Sequence, residues 1–78
     1  NFSKKIMHLK EKMSNSKELW NECNKYKSHS LERVRELVGK GADVNWKNKN
    51  DLLNTNSTVF MWACSRNHIE TVKYLITI

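Results

Sequence analysis

Apolar residues recur at helical spacing along most of this chain. Phe2, Ile6, Leu9 and Met13 fall four, three and four residues apart, which places them on one face of a helix over 3–13. Ser3 can cap its start, with Phe2 and Met7 at the two positions of a hydrophobic staple. Ser14-Asn15-Ser16 interrupts that pattern with three cap-forming residues, and Glu18 follows Asn15 much as in a capping box. The spacing therefore predicts a break, then a second helix from Lys17 to about Tyr26 with Leu19, Trp20, Cys23 and Tyr26 apolar.

Ser30 can cap a third helix, Leu31 to Lys40, whose stripe is Leu31, Val34, Leu37 and Val38. Among its exposed charges, Glu32 to Arg35 is the helpful pair. Gly41 ends it, because glycine takes a left-handed conformation without steric cost. From Thr58 to Ile76 the pattern predicts two short helices joined by a turn at Asn67-His68. Phe60, Ala63 and Cys64 form the apolar face of the first, and Ile69, Val72, Leu75 and Ile76 that of the second. Helices this short need a neighbouring unit to stack on.

The chain supplies one. Leu31, Val34 and Leu37 recur as Ile69, Val72 and Leu75, each 38 residues later, while Leu19 and Cys23 recur as Phe60 and Cys64, each 41 later. The difference lies in the turn between helices, which is longer in the first pair. A repeated helix–turn–helix unit implies a solenoid, each unit burying its neighbour's face.

The residues also carry a family resemblance. Gly41-Ala42-Asp43-Val44-Asn45 resembles the GADVN turn that ends ankyrin repeats, and Leu31 to Val38 resembles the second helix of such a repeat. Thr58-Val59-Phe60-Met61-Trp62-Ala63 is similar to the TPLHxA opening, and Asn67 to Ile76 to the GHxEVVKxLL closing stretch. The resemblance covers about residues 17–78 and implies an all-α fold, a short α-solenoid of ankyrin-type repeats with a long hairpin or finger loop. Residues 1–15 would be an amphipathic capping or linker helix, 16–57 a degenerate first repeat, and 58–78 a second, truncated one. Thr58 is expected to cap its helix, Val44 to pin the loop, Asp43 and Asn45 to bond within the turn, and His68 to hydrogen-bond across its turn. Small Ala63 and Cys64 would let stacked helices approach. The chain departs from the pattern at Val59 (proline in the family), Met61 (histidine), Asn67 (glycine) and Glu22 (a small residue). Its loop from Trp46 to Ser57 is also longer, and Leu52-Leu53 either folds back onto the core or rides on an extended finger.

Composition narrows the function. The 78 residues allow one small domain, and 38% hydrophobic content supports a modest core. The start at Asn1 and the stop at Ile78 inside a helical pattern read as part of a longer repeat protein. No apolar run reaches the roughly 18–20 residues of a membrane span. Cys23 and Cys64 have no CxxC spacing and read as reduced, buried thiols of an intracellular, cytoplasmic protein. His8, His29 and His68 share no metal-ligand spacing, and no catalytic constellation or phosphate-binding loop is present. The expectation is a non-enzyme without cofactors. The net charge of +6 favours nucleic acid, an anionic membrane or an acidic protein partner, set against the plainer reading of solvated faces in a Lys- and Asn-rich chain.

The resemblance implies a protein–protein interaction scaffold that binds through hairpin tips and the exposed face of the first helices. In this chain those positions are Trp46, Lys47, Asn48, Lys49, Asn50 and Asp51, then Ser65 and Arg66, with Asn24 and Lys25 equivalent in the first unit. Trp46 is the anchor candidate, set against packing beneath the loop. The alternative function is nucleic-acid or anionic-surface binding through the Lys-rich first helix and loop. It needs basic residues on one face with aromatics to stack on bases, and Trp46 beside Lys47 is the single such juxtaposition.

Overall fold

The computed structural model describes residues 2–48 and 57–78. Among them the chain forms four helices and no strand: α1 (Phe2–Cys23), α2 (Leu31–Gly39), α3 (Val59–Ser65) and α4 (Ile69–Thr77). Helix α1 packs on α2 and on α3, α3 packs on α4, and α2 packs on α4. First helices thus lie beside first helices and second beside second, the arrangement of two stacked hairpins expected of a repeat solenoid. Of the expected finger, residues 49–56, including Leu52-Leu53, fall outside the described residues.

The first difference from expectation is α1. It is one 22-residue helix rather than two. Ser16 explains why no break occurs. Its Oγ donates to the Lys12 carbonyl at 2.6 Å, one turn back, so the hydroxyl is satisfied inside the helix instead of capping a new one. Ser14 and Asn15 cost only a few tenths of a kcal/mol each against better helix formers. Without Pro or Gly between Phe2 and Cys23, that is too little to break a helix anchored by Leu19, Trp20 and Cys23. Ser3 lies inside this helix rather than at its cap. Phe2, Ile6, Leu9 and Met13 are all exposed, so the N-terminal half does not dock on the body as a cap.

Helix α2 follows the sequence closely. The Ser30 side chain accepts from the Arg33 N–H at 3.2 Å. At the other end Ala42 N–H donates to Leu37 O and Gly41 N–H to Val38 O, both at 3.0 Å, with Gly41 at φ 95°. This is a Schellman motif. Helix α3 ends the same way: His68 N–H reaches Ala63 O at 2.9 Å, Asn67 N–H reaches Cys64 O at 3.1 Å, and Asn67 holds φ 62° in place of glycine. Thr58 occupies the N-cap position of α3, but its side chain makes no capping hydrogen bond. The ion pairs of α2 use Arg33 and Lys40 with Glu36, both at 3.1 Å, rather than Glu32 with Arg35.

The core is Leu19, Trp20, Cys23, Val34, Leu37, Ala42, Val59 and Ala63, with Leu31, Val38, Val44, Trp46, Trp62, Val72, Tyr74 and Leu75 packed around it. Two sequence-derived faces are shifted. Helix α3 buries Val59 and Ala63, whereas Phe60 and Cys64 are exposed. Helix α4 buries Thr71, whereas Ile69 and Ile76 are exposed. Leu19 and Cys23 are fully buried, but their equivalents Phe60 and Cys64 are not. Positions equivalent in the repeat differ in burial because the second unit covers the first and no described residue covers the second. Along that flank Ala63, Cys64, Asn67, His68, Ile69, Val72 and Lys73 line an open groove of about 240 Å³. Ile78 is exposed, and Tyr74 is half-buried, with the Arg35 guanidinium over its ring at 5.4 Å.

Candidate functional site

Asn24, just past the end of α1, and Arg66, at the end of α3, are joined directly. The Arg66 Nε donates to the Asn24 carbonyl and to its Oδ1, both at 3.2 Å, and Nη2 donates to the same Oδ1 at 3.0 Å. The guanidinium lies over the Tyr26 ring at 3.7 Å and the Trp62 ring at 4.8 Å. Arg66 therefore spends its planar fork on the neighbouring unit, which a flexible Lys could not do equally well. Trp62 in turn meets Trp20 edge to face at 5.7 Å, and Trp20 Nε1–H donates to the Ser57 carbonyl at 3.0 Å.

Below this contact lies a histidine pair. His68 Nε2–H donates to the Lys25 carbonyl at 2.6 Å, across the gap between units rather than within its own turn. His29 points one ring nitrogen at the Glu22 carbonyl at 2.7 Å and the other at the Thr71 hydroxyl at 2.6 Å. A carbonyl accepts only, so Nδ1 carries the proton of a neutral His29 and Nε2 accepts from Thr71. Burial, first of all, holds the His68 imidazole below its ordinary range; His29 alongside adds to this and the Lys25 carbonyl opposes it.

Glu22 occupies the place where the repeat pattern calls for a small residue. Its buried carboxylate accepts from Ser30 N–H at 2.8 Å and from Lys25 Nζ at 3.0 Å. The longer turn of the first unit, with Ser28 at φ 61°, is folded around it. Sequence reasoning took Glu22 as wear. A charged residue at a small-residue position, followed by an extended turn of His and Ser, was the signal available.

The expected binding residues separate into two groups. Lys25 and Ser65 are exposed near Arg66, although Lys25 is paired with Glu22. Arg66 is half-buried and engaged in the stack. Trp46 is half-buried against the core, its N–H bonded to Asp43 O at 3.2 Å, and Lys47 beside it is exposed. Asn48 is half-buried, and Lys49, Asn50 and Asp51 lie outside the described residues. Asp43 and Asn45 close the expected turn, Asn45 N–H to Asp43 Oδ1 at 2.9 Å. The loop is tied to α1 by Ser16, whose buried Oγ accepts from Asp43 N–H at 2.7 Å. Ser16 on α1 and Asn24 just past its end are eight residues apart, so the points at which the two groups are tied to the first unit lie about 12 Å apart, and a strip of surface runs between them.

The thiols differ in kind. Burial raises Cys23 to about 12, with Glu22 adding to it, so it is neither nucleophile nor ligand near neutral pH. Cys64 is exposed rather than buried as expected. Among the described residues no three His, Cys, Asp or Glu side chains converge as a metal-holding group, and no helix is long and apolar enough to cross a membrane.

No curated protein and no solved structure matches the chain. The sequence model described as ankyrin repeats (3 copies) matches residues 21–78, the span that contains Glu22, both Schellman turns and the Arg66–Asn24 bridge. With stacked helical hairpins across most of its length and that match over well more than half of it, the chain belongs to the ankyrin-repeat family.

Proposed function

We propose that this chain is a non-catalytic binding module that takes an acidic protein partner along the strip between Lys25 and Lys47. Ankyrin repeats are in general protein–protein interaction modules. One observation supports the finer reading: Lys25 and Lys47 are exposed basic residues, one in each of the two groups of expected binding residues, and Ser65, in the group of Lys25, is exposed as well. Arg66 belongs to the scaffold in this reading, because its donors are already used on Asn24. The exposed part of Trp46 supplies apolar contact next to Lys47, held rigidly by the core behind it. Exposed lysines of this kind set association rate and salt sensitivity more than affinity.

The packing of Trp46 against the core favours a protein partner over nucleic acid, since a base-stacking platform needs an open ring face. A photo-reactive side chain at Lys47 or Ser65 should cross-link to the partner, and one at Glu32 on α2 should not. Cross-linking from Glu32 alone rejects the strip. Retention on heparin to high salt together with a nucleic-acid gel shift rejects the protein reading.

A further inference from the structure

The N-terminal half of α1 carries an apolar seam that no described residue covers. Phe2, Ile6, Leu9 and Met13 are 80%, 42%, 61% and 62% exposed. Ser16, at the end of this stretch, is the first buried residue of α1, so about 20 Å of helix stands clear of the packed body. The continuity of α1 gives this seam a register. Phe2, Ile6, Leu9, Met13, Ser16, Trp20 and Cys23 follow at alternating steps of four and three, a heptad pattern that runs from the free seam into the core. Of the five positions beside the seam that would face a partner helix, one is Ser3 and the others are lysines, Lys5 and Lys12 on one side and Lys10 and Lys17 on the other. All four lysines are exposed.

We propose that residues 2–17 pair with an acidic amphipathic helix of a protein partner, as a short two-stranded coiled coil. This surface is separate from the Lys25–Lys47 strip and does not depend on it. The flanking charges choose the occupant. In a second copy of the chain four of the five flanking positions would again be lysine and none acidic, whether the helices ran parallel or antiparallel, so self-pairing is opposed. A partner with Glu or Asp at its flanking positions meets opposite charge at the four lysines. A lipid surface fits less well, because the four seam residues span only about 60° of the helix circumference, narrower than the apolar face an interfacial helix buries. The partner also completes a helix that is otherwise marginal: a free segment of this length frays in water, while its anchored end sets the register.

The probe is a synthetic three-heptad peptide with Leu at the seam positions and Glu at the flanking ones, titrated into the 78-residue chain; its control carries Lys in place of Glu. The acidic peptide should bind, with affinity falling as salt rises and helicity increasing on mixing, and the basic one should not. The quadruple change K5E, K10E, K12E and K17E should weaken acidic-peptide binding at least about tenfold and create binding to the basic peptide. I6S with L9S should abolish binding while leaving thermal unfolding unchanged, since neither side chain is in the core. Equal binding of both peptides, or binding that survives I6S and L9S, overturns the proposal. So does a dimeric elution volume for the chain alone, or sedimentation with phosphatidylserine vesicles that the acidic peptide does not compete away.

Discussion

His29 and His68 stack face to face, ring centroids 3.7 Å apart and planes 8° from parallel. They belong to different repeat units, and each ring also hydrogen-bonds to the unit opposite, His29 to Thr71 and His68 to Lys25. The contact between units is therefore polar and directional at this point, not a layer of aliphatic packing alone.

His68 should make the stack acid-sensitive. The folded-state pKa of His68 lies below its ordinary value of 6.5, chiefly through burial. The unfolded chain therefore takes up this proton first as pH falls. The stabilising contribution is complete above about pH 6.5 and is lost as pH drops through the window between that value and the lower folded one. Urea midpoints should fall between about pH 7.5 and 5.5, and His68→Gln should flatten the dependence on that interval. An unchanged slope in His68→Gln would assign the effect to other groups.

Glu22 should rank among the costliest alanine changes in the first unit. Glu22→Ala leaves the Ser30 N–H without its acceptor and removes the partner of Lys25. The expected loss is roughly 2–3 kcal/mol, against about 1 kcal/mol or less for the exposed Glu32→Ala. Glu22→Gln keeps an acceptor oxygen for Ser30 and should recover part of the loss. Equilibrium unfolding of the three variants checks the order.

Arg66 serves the stack and is poorly replaced by lysine. Arg66→Lys loses the two-nitrogen grip on Asn24 Oδ1 and the planar contact with Tyr26, and Arg66→Ala loses all of it. Both should destabilise by roughly 1–2 kcal/mol, with lysine recovering little. Full rescue by lysine would mean that charge alone matters here.

The two thiols should separate cleanly under a maleimide probe. Cys64 is exposed and should label in the native chain, whereas Cys23, buried and raised to about 12, should label only after denaturation. Mass spectrometry of native and urea-treated protein reads this directly. Labelling of Cys23 at the native rate would place it outside the core.

Much of the fold was legible because the repeat states it twice. The α2 stripe, the Ser30 cap, Gly41 and the Asn67 turn follow from local chemistry, and the structure keeps them. What could not be read was which apolar face meets which neighbour. Phe60, Cys64, Ile69 and Ile76 are apolar at helical spacing, yet they lie on the uncovered flank, and periodicity records apolarity without naming the partner surface. Ser14-Asn15-Ser16 was misread as a break because a serine that caps and a serine that bonds one turn back look alike in sequence. Around the candidate site, Lys25 and Ser65 are exposed as expected, while Arg66 turned inward. Exposed and bridging arginines share the same local pattern, and only the Asn24 carbonyl and amide distinguish them.

The central claim is a division of labour: Arg66 and His68 hold the units together, and Lys25 and Lys47 face a partner. It is tested most directly by titrating the cross-linked partner, once identified, against a Lys47→Glu, Ser65→Glu double variant, which leaves the Lys25–Glu22 ion pair intact. The account predicts affinity about tenfold weaker at low salt, chiefly through slower association, the gap narrowing as salt is added, with an unfolding midpoint close to that of the unchanged chain. Unaltered affinity, or a loss that merely follows a fall in stability, would contradict it.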